Sequence, residues 1–442
     1  MSAASSLASA AGPTLALGLP TVGTPTSTAE ASALVRDAAA AGTRLRLVGR
    51  GRWLDAGHPV RADGVLALAA LDGVVDHVPG DLTLTARAGT PLAEIARVAA
   101  AERQFLALDP FGAADGTLGA TVATASAGPL AHAFGTPRSN VLGVEFVTGT
   151  GEVVRAGGRV VKNVAGFDLV RLATGAWGTL GVLTEVSVRL RALPEVDVTV
   201  AVALPAAAAA AAGAGAHGAV AALDAWLARL RRAPLAAWAL ELVNGPLAEA
   251  LRVADRPVLL ARLAGNAPAV AAQRATLAAL GEVTDLPADL WRRLAACEPP
   301  VAAVARLSAR PTRLATLCAE LFSPAARAFG LLAHASPSRG VVRFVLPGAQ
   351  GFGMPSAAPG RRPGAAGDAA AVDPPPTCIV ERLPAALWAS VAAPWRTPRA
   401  VDALARGARR AFDPAGILNA GILGDESAPH PAAPRPQRDT SP

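Results

Sequence analysis

Tyrosine is absent from this chain and lysine occurs once in 442 residues; every other one of the 41 basic residues is arginine. Cysteine is scarce. Cys297, Cys318 and Cys378 stand far apart with no Cys-x-x-Cys spacing, so the chain holds no ligand set for an iron–sulfur cluster or structural zinc, and no metal is expected. Reduced thiols in a cytoplasmic protein are the simplest account. Long apolar runs are missing too. Ala203 to Leu223 carries no charge, but it is mostly Ala and Gly with a His and a Pro, too weakly apolar to span a bilayer. Residues 1–26 are rich in Ala, Ser, Thr and Pro and lack the positive start and compact apolar stretch of a signal peptide. The net charge of +7 raises nucleic acid as a partner, yet the arginines are scattered singly with no basic run interleaved with aromatics. An arginine bias without a patch excludes that class. No G-x-G-x-x-G follows a first strand and no Walker A loop occurs, so dinucleotide-fold and P-loop readings fail.

What is present is a globular composition, 52% hydrophobic and 17% charged, with the apolar share inflated by alanine. A chain of this length should hold two or three domains. The lone lysine, Lys162, sits in Gly157–Arg171, reading GGRVVKNVAGFDLVR. Arginine donates through a wide planar fork, whereas lysine is a compact point charge. Lys162 therefore has two readings: a chance survivor on a solvated turn, or a contact on a ligand-facing loop where the fork does not fit.

The pattern along the chain is mixed. Residues 1–26 read as a disordered tail. Ser27 or Thr28 caps a helix that ends at Gly42, and Arg44 to Val48 alternates as a strand that runs into Gly49-Arg50-Gly51-Arg52. Val65–Leu68 and Leu82–Ala86 are short strands, the second entered through the turn residues Pro79-Gly80-Asp81. Pro91–Arg103 is a second helix with Pro in its first turn. Val144–Thr148 and Glu152–Arg155 flank Gly149-Thr150-Gly151 as a hairpin. Val182–Leu190 sets Val186, Val188 and Leu190 on one face and Ser187 and Arg189 on the other. Helices and strands without regular βαβ alternation predict an α+β fold. The character shifts near Leu193-Pro194, where a second domain begins with weak helix and strand patterns. Residues 349–377 read as a disordered insertion, Cys378–Val380 as a return to order, and Ala400–Phe412 as a helix with Val401, Leu404, Ala408 and Phe412 on one stripe. Residues 425–442 read as a second tail.

Three glycine-rich segments carry the chemistry. Val48 to Trp53 follows a strand, where glycines let backbone N–H groups turn inward as an anion nest. Asp109-Pro110-Phe111-Gly112, followed by Gly116 to Pro129, offers small residues that permit close approach and hydroxyls that bond phosphate or polyol oxygens. Gly175 to Val182, GAWGTLGV, is the third. In this order they resemble the FAD-linked oxidases of the vanillyl-alcohol-oxidase type, with a PCMH-type FAD-binding domain. The resemblance runs from Thr28 to Pro194 and returns in Arg410 to Asn419 (RAFDPAGILN). It is nearest to the E-subunit family of bacterial glycolate oxidases, which shows the same GGxVxKNVAGYDL and GTLGVLTE runs, here with Phe167 in place of the usual Tyr.

The resemblance implies a PCMH-type FAD-binding domain of two α/β subdomains over 27–194 and a smaller α+β cap domain over 195–424. It implies non-covalent FAD, because Gly49–Trp53 lacks the histidine that tethers flavin in some members and His58 lies beyond it. Gly49, Arg50, Gly51, Arg52 and Trp53 would surround the diphosphate. Gly119, Ala120, Thr121, Thr124, Ser126 and Gly128 would line the diphosphate and ribityl chain. Gly178, Gly181 and Val182 would lie against the cofactor, and Lys162, Asn163 and Asp168 would hold a loop near the flavin. Asp168 keeps a second reading as N-cap of a helix Leu169–Thr174, and Asn419 reads either as a flavin-edge contact or as a turn cap. Arg138 and Arg171 read as structural partners.

One departure bears on catalysis. Members acting on 2-hydroxy acids carry an HxGDGNxH-like histidine pair in the second domain. The corresponding stretch here, His334 to Arg343, keeps only the first histidine, and a later Glu-His pair is also missing. With six ungrouped histidines, no catalytic residue is assigned, and His334 reads as a core or surface residue. The implied reaction is oxidation of glycolate to glyoxylate, with a related FAD-containing D subunit and an iron–sulfur F subunit as partners. The implied location is cytoplasmic, peripheral to the inner membrane through those partners. Two alternatives stay open: a stand-alone FAD-dependent 2-hydroxy-acid dehydrogenase, and a non-catalytic FAD-carrying subunit for electron transfer or assembly.

Overall fold

The computed structural model describes residues 17–112, 115–158, 167–209, 217–299, 301–323, 327–347, 376–390 and 403–424. Lys162 and Asn163, nearly all of the 349–377 insertion and the 425–442 tail lie outside the described residues.

The chain is α+β, and its described residues build three sheets. The first is parallel, in the order β1 (Thr21–Gly23), β3 (Gly64–Ala67) and β2 (Leu45–Val48). The strand at Thr21–Gly23 corrects the N-terminal tail: Thr21 pairs with Val65 and Gly23 with Leu66, with a register shift between them. The helix Thr28–Ala41 covers this sheet. Ser27 accepts from the Glu30 N–H at 3.2 Å and Gly42 closes the helix in the left-handed region at φ 67°, so both ends fall where cap chemistry puts them. Ala31 and Val35 are buried against Leu45, Leu66 and Val182.

The second sheet is antiparallel and runs β4 (Val74–Val78), β5 (Thr83–Arg87), β9 (Val182–Ala192), β7 (Val141–Val147), β8 (Val153–Gly157); β6 (Gln104–Leu106) pairs with the far end of β9. The expected faces of β9 are found: Val186, Val188 and Leu190 are fully buried, each worth about 1.5–3 kcal/mol. The helices Leu92–Ala101 and Leu118–Thr124 pack on that face through Ile95, Leu118 and Val122.

The third sheet belongs to the second module. It has eight antiparallel strands in the order β13 (Val283–Leu286), β10 (Val196–Ala203), β12 (Val258–Gly265), β11 (Ala239–Val243), β15 (Leu332–Ser336), β16 (Val341–Leu346), β14 (Ala303–Ser308), β17 (Thr377–Arg382). It is the largest sheet among the described residues, where the sequence suggests a smaller cap. Helices His217–Arg232, Ala267–Ala278 and Leu314–Leu321 lie on one face.

The C-terminal segment does not belong to the cap. Asn419 N–H donates to Leu45 O, Leu45 N–H donates to Ile417 O, and Gly149 N–H donates to Phe412 O, so 403–424 packs on the first module. Asp413 fixes the turn by accepting from the Ile417 and Leu418 N–H groups at 3.2 and 2.8 Å. Of the stripe expected on the last helix, Val401 lies outside the described residues and Leu404 does not share the burial of Phe412. That helix spans Ala403–Phe412, Leu404 is 83% exposed, and Phe412 packs against Phe146.

The modules are joined along one edge. Arg382 forms a forked ion pair with Asp55 at 3.0 and 2.9 Å, Gly57 N–H donates to Glu381 O, and His58 stacks on Trp388 at 3.9 Å. On the far side Trp238 packs between Phe105 and Phe134.

Candidate functional site

A cleft of about 1130 Å³, its open mouth included, runs through the first module. Its walls come from the end of β2 and the Gly49–Trp53 loop, from Gly116 to Ser126, from Trp177, Gly178 and Gly181, and from Asn419 and Ile422. The three glycine-rich segments are thus brought together. Of the residues expected to bind cofactor, Gly49, Arg50, Gly51, Arg52, Trp53, Gly119, Ala120, Thr121, Thr124, Ser126, Gly178, Gly181 and Asn419 line this cleft.

Val182, Gly128 and Asp168 stand elsewhere. Val182 is fully buried in the core with Leu45, Val147 and Ile417, because the alternation of β9 turns it inward. Gly128 lines a second, adjoining cleft; a Cβ there would sit 1.9 Å from Asp109 O, so its glycine serves chain packing. Asp168 is the N-cap of Leu169–Ala173, accepting from Arg171 N–H at 3.0 Å and pairing with the Arg171 guanidinium, so the capping reading holds. Arg138 donates to Arg171 O, as a structural partner would. Asn419 clips three segments: its Oδ1 accepts from Leu47 N–H at 2.9 Å and its Nδ2 donates to Trp177 O at 2.8 Å.

The fit to a dinucleotide rests on three observations. First, the backbone N–H groups of Gly49 to Trp53 have no backbone acceptor among the described residues, leaving consecutive donors at the cleft wall. Second, Arg46 lines the same cleft and is 7% exposed, yet it pairs with no carboxylate among the described residues. Its Nη2 reaches only Leu54 O at 3.3 Å and its Nη1 has no partner. Burial pushes its guanidinium down to about 10. A buried cation left this way costs several kcal/mol unless an anion completes it. Arg50 and Arg52, by contrast, pair at the surface with Asp72 and Asp115. Third, the walls are held in unusual backbone. Ala125, Trp177 and Asn419 all have positive φ (50°, 56° and 47°), which costs a bulky residue about 1 kcal/mol or more and clusters at ligand sites. Gly178, at φ 71°, has no space for a side chain: a Cβ would lie 2.9 Å from Asn419 Nδ2 and from Leu47 Cδ1.

These residues fit FAD. The Gly49–Trp53 amides and Arg46 would hold the diphosphate, and Thr121, Thr124 and Ser126 would hydrogen-bond the polyol chain. Bound there, FAD supplies a two-electron acceptor; the chain supplies the donors and a largely apolar wall that keeps water out. Sequence reasoning missed Arg46. Its signal was an arginine in the middle of a short apolar strand entering a glycine loop.

The adjoining cleft meets the first along Trp53, Phe111, Thr124, Ser126 and Trp177 and is closed on its other side by the cap sheet. His334 lies in it. The histidine is buried, its Nδ1 2.8 Å from Glu241 Oε2, and its ring is 5.1 Å from Phe111, so it is neither plain core nor surface. Cys378 also lines this cleft, with burial pushing its thiol up to about 12. Among the described residues no group of His, Cys, Asp and Glu has the makings of a metal site.

Comparison with known proteins bears on the first module. Residues 20–157 match the family model of an FAD binding domain. The glycolate oxidase subunit GlcE of Escherichia coli (strain K12) is 42% identical over 128 residues, covering 28% of this chain and 36% of that protein. The glycolate oxidase subunit GlcD of Bacillus subtilis (strain 168) is 32% identical over 137 residues, 31% of this chain and 29% of that one. The chain thus matches about a third of the length of these relatives. Among solved structures, an alkyldihydroxyacetonephosphate synthase aligns over 90% of this chain and 75% of its own with a TM-score of 0.58 at 16% identity, a likeness of fold alone.

Proposed function

With a PCMH-type FAD-binding domain as the N-terminal module of this flavoprotein, we propose that the chain is the FAD-carrying subunit of a complex that oxidises glycolate to glyoxylate. Electrons leave through the flavin to an iron–sulfur partner. The observation that carries this reading is the convergence of three glycine-rich segments and the unpaired Arg46 on one cleft. The names of the relatives supply the substrate and the idea of a subunit. FAD is non-covalent in this reading, because no histidine lies in the Gly49–Trp53 loop.

The same proposal takes 27–194 as the FAD-binding domain, completed by 403–424, with the cap between. Its partners are a related FAD-containing D subunit and an iron–sulfur F subunit. No helix among the described residues is long and apolar enough to cross a membrane. The chain is cytoplasmic in this reading, and attachment to the inner membrane comes through its partners.

The test is reconstitution. Co-expressed with its D-like and F-like partners, the chain should copurify and support reduction of an artificial acceptor by glycolate, with activity lost when this chain is omitted. An assembly that forms with this chain but ignores glycolate while oxidising another hydroxy acid would move the proposal to that substrate. Robust glycolate turnover by this chain alone would replace the subunit reading with a stand-alone dehydrogenase. A flavin-containing assembly whose activity does not depend on this chain's flavin would leave it a non-catalytic carrier.

A further inference from the structure

We infer that the cap holds the cofactor cleft in its binding shape from outside the first module: Arg382 of β17, through Asp55, is a positioning residue for Arg46 and the Gly49–Trp53 loop. The inference rests on the flavin reading and adds to it a dependence of cofactor affinity on the docking of the cap.

The chain leaving the glycine loop takes backbone partners from the cap. Ala56 makes an antiparallel bridge with Arg382 on β17, the last strand in the order of the cap sheet. Gly57 N–H donates to Glu381 O at 2.9 Å and Leu383 N–H donates to Asp55 O at 3.2 Å, so residues 55–57 add to that edge as a strand would. A Cβ at Gly57 would lie 2.7 Å from Ile422 Cγ1 and 3.2 Å from Trp177 Cζ3. The segment is therefore wedged between the cap edge and two residues of the cofactor wall.

Side chains fix the same seam. Arg382 is 5% exposed, and its guanidinium forks onto Asp55 at 3.0 and 2.9 Å. Glu298 answers it less well: it stands 3.5 Å away, and its other oxygen already accepts from Arg343 Nε at 2.7 Å. A buried guanidinium stripped of its partner is costly, so β17 and Asp55 hold each other in place. Arg343 pairs in turn with Glu381, and Glu381 with Arg306 at 2.9 Å, which ties β17 to β16 and β14.

The link to the cofactor is one peptide away. Leu54 O accepts from Arg46 Nη2 at 3.3 Å, and both residues line the cofactor cleft. The peptide unit joining Leu54 to Asp55 is planar, so holding Asp55 aims the Leu54 carbonyl. Arg46 Nη1 has no partner, which leaves this bond to direct a buried cation. Neither Asp55 nor Arg382 lines the cofactor cleft, so both act through Leu54 and Arg46.

The test is a double-mutant cycle on FAD affinity, read by flavin fluorescence on the full chain stripped of cofactor. Arg382→Met should weaken FAD binding about tenfold, a share of what a hydrogen bond to a charged group carries. In an Arg46→Met background the same change should cost less than about twofold, because the residue it aims is gone. A seam that only joins the modules would cost the same factor in both backgrounds. That result overturns the inference, as does unchanged affinity in Arg382→Met alone. Arg382→Lys keeps the charge and loses the fork, so it should recover part of the affinity. Should Arg382→Met fail to fold, Arg382→Lys carries the same cycle with a loss of about threefold.

A second readout needs no cofactor. Amide hydrogen exchange across residues 49–57 of the flavin-free chain should run faster in Arg382→Met than in the unaltered protein, and equal exchange overturns the tether. A chain that takes up no FAD yet shows the faster exchange sinks the flavin reading and leaves the tether standing. FAD bound equally well by the unaltered chain and by Arg382→Met does the reverse.

Discussion

The two clefts share a wall at Trp53, Phe111 and Trp177 yet are built by opposite means. The first is made of backbone: small residues, unsatisfied amides and strained turns, with one buried cation in its lining. The second is made of side chains, with arginines and glutamates paired across a sheet. A backbone-built site binds whatever carries phosphates and is intolerant of added atoms. A side-chain-built site tolerates substitution but changes what it selects.

The largest effect should come from adding bulk to the first cleft. A Cβ at Gly119 would lie 2.6 Å from Ala88 Cβ and 2.8 Å from Ala88 O, so Gly119→Val must displace the helix Leu118–Thr124. It is expected to cost about 3 kcal/mol of stability, read by urea unfolding, and to abolish flavin retention. Next is Arg46→Met, which removes the unpaired cation. Flavin affinity should fall about 10- to 100-fold, the worth of a hydrogen bond to a charged group, while the flavin-free protein melts no lower than wild type. Equal flavin affinity in this variant would mean that Arg46 does not face the diphosphate. Asn419→Ala follows, at about 2 kcal/mol, because Leu47 N–H and Trp177 C=O lose their partner and alanine takes the left-handed turn less readily.

Smallest, taken per pH unit, is a pH dependence at Asp109, which packs against Gly128 of the second cleft. Asp109 keeps some surface but is surrounded by protein mass, and desolvation pushes its carboxyl up to about 7, despite the Leu130 N–H it accepts at 2.8 Å. In the unfolded chain it ionises near 3.8. Between these values the folded state holds a proton that the unfolded state has lost, so stability falls as pH rises from about 4 to about 7 and levels above. Asp109→Asn should flatten that slope, which is at most about 1.4 kcal/mol per pH unit, in unfolding midpoints taken across the range. An unchanged slope would assign the pH dependence to other groups.

How much of this was legible in the sequence follows the same division. The helix Thr28–Ala41 was readable to within a residue at its start and to the residue at its end, because Ser27 and Gly42 act locally. β9 was readable because one face is wet and the other dry, so its pattern alternates. The glycine segments of the first cleft stood out because their chemistry is carried by runs of neighbours. The cap sheet was not readable. β11 is buried at every position and β12 at nearly all, which erases the alternation. The second cleft was hidden for a related reason. Glu241, Arg306, His334 and Arg339 come from separate places in the chain, and only strand register brings them together. Val182 shows the reverse error: its place in a glycine-rich run suggested ligand contact, but the strand beginning there turns it into the core.

The most direct measurement is flavin stoichiometry on the purified chain, by absorbance after desalting and again after acid precipitation. The chain is expected to hold one FAD that acid releases into the supernatant, with the Arg46→Met protein retaining markedly less under the same wash. A folded chain that is colourless and takes up no added FAD, with or without its partners, contradicts the account.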